Sequence, residues 1–127
     1  MADGFPDVED ALLELLADLA DTVTAVDTLD EPVIQVNRTG GGADRLGLQD
    51  SAIVEVATYT ATRPASQALT KQVRDRLSGL RGVQTGAGFI DAISEFTAPI
   101  PIPDLNPDIR RVPSTWTVIS RLQDLPE

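Results

Sequence analysis

Apolar residues at Val8, Leu12, Leu15, Leu16 and Leu19 recur with the three- and four-residue spacing of one helix face, which predicts a first helix over about residues 6–20. Pro6 suits its first turn, and Asp7, Glu9 and Asp10 complement the positive end of the helix dipole. Residues 22–31 allow a short extended piece through Val23 and Ala25, then a turn at Leu29, Asp30 and Glu31 into Pro32. The pattern next changes to strict alternation. Ile34 and Val36 oppose Gln35 and Asn37 within residues 32–38, and Val54 and Val56 oppose Glu55 and Ala57 within residues 51–59. Each run reads as a strand with one buried and one half-polar face, and Pro32 suits a strand start because no ladder donor is needed there. Helical spacing returns at Ala65, Ala68, Leu69, Val73, Leu77 and Leu80, predicting a second helix over about residues 64–80 with Gly79 and Gly82 near its end. A strand near residues 88–96 and a last one near 114–122, around Trp116, Val118 and Ile119, complete the series.

The predicted order is α-β-β-α-β-β. It implies an α/β (α+β) two-layer sandwich, a four-stranded mixed sheet with two helices on one face, the second helix making a right-handed crossover between parallel strands. Residues 1–127 form a single domain. Two segments stand out: a hairpin loop over residues 39–50, longer than a simple reversal needs, and a segment over 98–113 in which Pro99, Pro101, Pro103, Pro107 and Pro113 favour an extended arm.

Composition narrows the chemistry. Cysteine and histidine are both absent, which removes thiolate nucleophiles, imidazole bases, disulfides and the usual zinc ligands. No stretch reaches the ~18 consecutive apolar residues of a membrane span, and the first residues lack the basic start of a signal peptide, so a cytosolic, non-membrane protein is expected. The net charge of −10 is unevenly placed: residues 1–31 hold ten Asp or Glu and no Lys or Arg, and the remainder holds ten of each sign. That beginning is unsuited to gripping a phosphate backbone but suited to lining a passage through which nucleic acid slides.

Gly40, Gly41 and Gly42 could present amides to an anion, but the P-loop pattern and the strand-to-helix context are missing; a flexible hairpin tip or a contact with a neighbouring subunit remains. Asp91 and Glu95 alternate along one strand, where solvated side chains are the plain reading. Ser66 and Ser94 have no histidine to activate them, and Lys71 sits on an exposed helix face, so no catalytic residue, cofactor or metal is expected and the protein is not read as an enzyme. Trp116 is expected in the core with its N–H on a backbone carbonyl. Asp10, Glu14, Asp18 and Asp21 form an acidic stripe on the first helix, each like-charged neighbour costing roughly 0.2–0.5 kcal/mol in isolation, while Lys71, Arg74, Arg76 and Arg81 make the second helix basic. The two patches could be solvated, could pair within the chain, or could meet head to tail between subunits in a heterologous contact that closes into a ring.

The succession of a leucine-rich helix after Phe5-Pro6-Asp7, then Pro32-Val-Ile-Gln-Val-Asn-Arg38 followed by Thr39 and three glycines, then Asp50-Ser-Ala-Ile-Val-Glu-Val56, then Arg63-Pro-Ala-Ser-Gln-Ala-Leu69 and Val73-Arg-Asp-Arg-Leu77, resembles the small tail-terminator or head-tail joining proteins of long-tailed bacteriophages, those of actinobacterial phages in particular. The likeness covers about residues 5–80. It implies a structural virion protein: a ring, usually hexameric, that sits on the tail tube, stops its polymerisation and offers a docking surface for the head. Its implied partners are copies of itself, the tail-tube protein and a head-tail connector or neck protein, with DNA passing through without specific binding and assembly taking place in the host cytoplasm. By motif position, Arg38, Thr39, Gly40, Gly41, Gly42, Asp44 and Arg45 would meet a neighbour or the tube, and Arg63 with Lys71 and Arg74 would hold adjacent subunits, against Glu14 and Asp18 of the acidic stripe. Two other readings stand beside it: a head-completion adaptor at the portal, and a small α/β module that binds an anion or peptide.

Overall fold

The computed structural model describes residues 2–23, 32–103 and 109–125; the predicted turn at residues 29–31 lies outside them. Helix α1 spans Val8–Leu16, and the Asp7 carboxylate caps it by accepting the Asp10 N–H at 3.2 Å. It buries Val8, Ala11, Leu12 and Leu16. It stops short of residue 20 because the last turn tightens: Ala17 N–H donates to Glu14 O and Leu19 N–H to Leu16 O, and the chain then enters strand β2, Asp21–Val23. A short strand β1, Ala2–Gly4, pairs separately with the last strand β9, Gln123–Leu125. Helix α2 spans Arg63–Leu77, capped by the Thr62 hydroxyl, which accepts the Ala65 N–H at 3.3 Å, and followed by Gly79 at φ +70°. Its buried stripe is Ser66, Leu69, Val73 and Leu77; Ala68 of the predicted apolar face is exposed.

The remaining strands are β3 (Val33–Ala43), β4 (Gln49–Thr60), β5 (Arg81–Thr85), β6 (Gly88–Thr97), β7 (Ile102–Pro103) and β8 (Arg110–Arg121). The sheet runs β2-β3-β4-β8-β6-β5, with β7 added to β8. Six strands lie on this path instead of the four expected. The additional ones are short border strands, and most of β5 is exposed, so neither carries the alternation that marks a half-buried strand. Strands β4 and β6, which precede and follow α2, are each antiparallel to β8 and so run in the same direction, as a crossover between parallel strands requires. They are not neighbours: β8 lies between them, the chain passes from α2 through β5 before β6, and the only hydrogen-bonded parallel pair among the described residues is β2 with β3.

Trp116, fully buried on β8, anchors the core with Leu12, Leu16, Ile34, Leu77, Ile90 and Ile93. Each such side chain contributes roughly 1.5–3 kcal/mol by leaving water. The indole N–H donates not to a backbone carbonyl but to the Ser114 hydroxyl at 2.9 Å, which in turn donates to Val56 O at 3.2 Å. Pro113 is tolerated inside β8 because it falls between the rungs Thr97↔Thr115 and Ile102↔Arg111, and its carbonyl accepts the Ile100 N–H at 3.2 Å.

The twelve-residue loop expected over 39–50 is instead a longer hairpin. Strand β3 continues through Ala43, β4 begins at Gln49, and only residues 44–48 turn. A bulge between Arg38 and Gly40, with Thr39 the extra residue, shifts the register, and beyond it Gly41, paired with Ala52, takes a positive φ of +87° that favours glycine. A Cβ at Gly41 would lie 1.9 Å from Ser51 O, whereas at Gly40 and Gly42 it would meet nothing within 4 Å. The turn is tied by its own backbone and by Asp44, whose Oδ1 accepts the Leu48 N–H at 2.9 Å.

Candidate functional site

Two of the four carboxylates of the acidic stripe, Glu14 and Asp18, are bonded inside the subunit, as is Glu9 beside them. Glu9 accepts the Arg38 N–H of β3 at 3.0 Å, and Glu14 accepts the Gly86 N–H of the β5–β6 turn at 2.6 Å. These two amides belong to opposite sides of the sheet order, so the sheet curls and α1 bridges the gap, satisfying donors that would otherwise face solvent. Asp18 receives both Nη groups of Arg76, at 2.7 and 2.9 Å, and Arg76 Nη1 also donates to Leu15 O at 2.7 Å. A cation from α2 thereby serves the carbonyl end of α1. This pairing holds the Asp18 carboxyl below the ordinary carboxylate range and the Arg76 guanidinium above its ordinary one. Of the alternatives open in the sequence, the contact between the two helices within one chain is therefore present.

Arg38, placed by sequence on a loop facing a neighbour, is engaged within its own hairpin. Its guanidinium forks onto Asp50 with two bonds of 2.9 Å, and Nε donates to Gly40 O at 3.1 Å. The ion pair raises the Arg38 pKa above its ordinary value. Thr39 donates its hydroxyl to Ile53 O at 3.3 Å. Gly40, Gly41 and Gly42 are rungs of the β3–β4 ladder, and Asp44 organises the turn, leaving Arg45 exposed at the tip. Beside it the turn holds out Leu46 and Leu48, 73% and 53% exposed, and Leu122 joins them through its N–H to Leu48 O at 2.8 Å. This apolar tip was not singled out from the sequence, although two leucines flanking a glycine in an otherwise polar turn carry the signal.

At the other end of the sheet, Arg63, Lys71 and Arg74 of α2 come together around a cleft of about 790 Å³. Pro99, Pro101, Ile102, Ile109 and Val112 supply its apolar lining, and Arg110 and Arg111 add to the cationic rim. Lys71 pairs with Asp75 at 2.6 Å and Arg74 with Glu95 at 3.0 Å. Arg111 donates to Tyr59 Oη at 3.0 Å and to Glu55 at 2.8 Å. Glu95 and Asp91 are thus drawn to separate arginines, Asp91 pairing with Arg121. Glu14 and Asp18 do not join the cleft. Among the described residues no three acidic side chains are grouped to hold a metal, and no helix is long and apolar enough to cross a membrane. What the two ends offer chemically is apolar and ionic contact surface.

The model of a family described as phage tail termination protein matches residues 4–124. No curated protein matches the sequence. Among solved structures, a chain of the structure titled "Virion of native gene transfer agent (GTA) particle" has a similar fold, with a TM-score of 0.59, 16% identity, and coverage of 89% of this chain and 84% of that one.

Proposed function

From the premise that this chain belongs to the phage tail termination protein family, we propose that it is the tail terminator of a long-tailed phage-type virion: a ring subunit that caps the finished tail tube, stops its polymerisation and presents a docking surface to the head. Family membership makes it a structural protein of the virion tail or neck. The observation that carries the reading is the family match over nearly the whole chain. The geometry supports it by setting an apolar tip and a cationic cleft at opposite ends of the sheet, as a subunit with more than one partner requires. Copies of itself, the tail-tube protein and a neck protein are the proposed partners. The charge of the first 31 residues would let DNA pass with little adhesion.

Deleting the gene and measuring tails in the lysate tests this. Overlong or irregular headless tails are expected. Tails of normal length beside unsealed heads would overturn the terminator reading in favour of a neck adaptor.

A further inference from the structure

Three stretches of the sheet border have no neighbouring strand among the described residues: the far half of β3, beyond its short pairing with β2; the outer side of β5; and the outer side of β7. An open border offers backbone donors and acceptors that an extended chain can join whatever its sequence. Each stretch carries a device that obstructs this. On β3 the Arg38 N–H, which faces away from β4, is taken by Glu9 at 3.0 Å, and the bulge that follows turns the strand away from a straight partner. Where β5 passes into β6, the Gly86 N–H is taken by Glu14 at 2.6 Å. At β7, Pro103 and the preceding Pro101 have no N–H to give, and the Ile100 N–H is already spent on Pro113 O. Two of the devices come from one helix: α1 buries Val8, Ala11, Leu12 and Leu16, so the core itself holds Glu9 and Glu14 against the two borders.

We infer that Glu9 and Glu14, with Pro101 and Pro103, are edge guards that keep the sheet from adding a strand of a second copy. The excluded occupant is a second copy because a border reads backbone and not sequence, and identical chains meet at the highest concentration wherever subunits assemble. Copies of this chain therefore join through side-chain surfaces and not by continuing one sheet into the next. Strand addition along an open border propagates without closure, so a chain that forms defined assemblies has to suppress it. The inference goes beyond the terminator reading and does not rest on it.

Sedimentation velocity and thioflavin T binding of the full chain test it. Glu9→Ala with Glu14→Ala should shift the protein from the parent's sedimenting species to larger, growing particles that bind the dye. Glu9→Gln with Glu14→Gln loses the same two charges but keeps an oxygen that accepts each amide, so it should sediment like the parent. An Ala variant that retains its secondary structure by circular dichroism and sediments like the parent would overturn the inference. So would a Gln variant that grows as the Ala variant does, since lost charge and not a lost bond would then be the cause. Pro101→Ala with Pro103→Val leaves α1 untouched and decides the matter if the Ala variant does not fold: growth of dye-binding particles is expected, and a folded variant that sediments like the parent would overturn the guards. Tail lengths in the deletion lysate bear on the terminator reading alone, so the two can fail separately.

Discussion

Arg38 reaches along the β3–β4 hairpin to Asp50 with two guanidinium-to-carboxylate bonds of 2.9 Å, and the Asp50 side chain is only 4% exposed. Arg38 stands opposite Val54 at the edge of the bulge and Asp50 stands opposite Ala43 beyond it, so the pair ties the two sides of the bulge together and holds the register of the glycine-rich half of β3. Removing the arginine leaves a carboxylate in a site that water barely reaches. Arg38→Ala is expected to lower stability by about 1–3 kcal/mol, less than a fully buried pair would lose because the arginine itself is 35% exposed. The urea unfolding midpoint measures it, and an unchanged midpoint would refute the assigned role.

The three glycines should respond very differently to a methyl group. Gly41→Ala combines a positive φ with a near-collision on Ser51 O and is expected to cost about 3 kcal/mol or to prevent folding. Gly42→Ala meets open space and should change stability by less than about 1 kcal/mol, in the stabilising direction if the unfolded chain is restricted. Equal effects in thermal unfolding would refute the positive φ and close approach assigned to Gly41.

Asp18 gives the fold an acid-sensitive contact. Its carboxyl is held below the ordinary range by Arg76, so the stabilisation is fully present above the pKa of the unfolded chain and is lost as pH falls through the lower folded value. Stability should therefore drop on acidification, and Asp18→Asn should flatten part of that dependence while lowering stability at neutral pH. Urea titrations at a series of pH values check both halves. If the Asn variant keeps the same slope, the contact does not persist in solution.

Charge reversal separates the intramolecular role of the stripe from an intermolecular one. Glu14→Lys with Asp18→Lys removes the bond to Gly86 and sets a lysine against Arg76, so the isolated subunit should lose stability. Circular dichroism melts of dilute protein decide the matter: an unchanged melting temperature together with disrupted assembly would return the stripe to the subunit interface.

Trp116, the one tryptophan, reports the core directly. Buried completely, it should emit at short wavelength and shift to the red on unfolding in step with loss of secondary structure. Trp116→Phe removes the donor to Ser114 and opens space, with an expected loss of about 1–3 kcal/mol by denaturant titration.

Much of this architecture was legible where side chains alternate between core and solvent. Ile34 and Val36 marked β3, Val54 and Val56 marked β4, and the Leu69, Val73 and Leu77 spacing marked α2. Of the border strands, β2 was foreshadowed by the extended piece through Val23, whereas β5 was not legible, because Arg81, Gly82 and Gln84 are exposed and no periodic burial constrains it. The glycine run read as a loop because glycine disfavours strands in general; the reason it is a strand here, a bulge and a close approach at Ser51 O, is a tertiary fact. The acidic stripe was visible as a cost, but its partial compensation depends on Gly86 and Arg76, 72 and 58 positions from Glu14 and Asp18 respectively. Lys71 and Arg74 were visible as cations of the second helix and Arg63 by motif position, but Arg76 and Arg81, read together with them, do not line the cleft, and the proline wall required the return of β8 beside β4.

The central place of β8 sets the timetable of biosynthesis. It is flanked by β4 on one side and β6 on the other, yet it is among the last strands to leave the ribosome. Until residue 110 and its successors emerge from the exit tunnel, β4 has an unfilled border and Val54 and Val56 have no Trp116 to cover them. The nascent chain must therefore wait unfolded or be shielded until β8 is out, and the cooperative transition cannot precede its emergence.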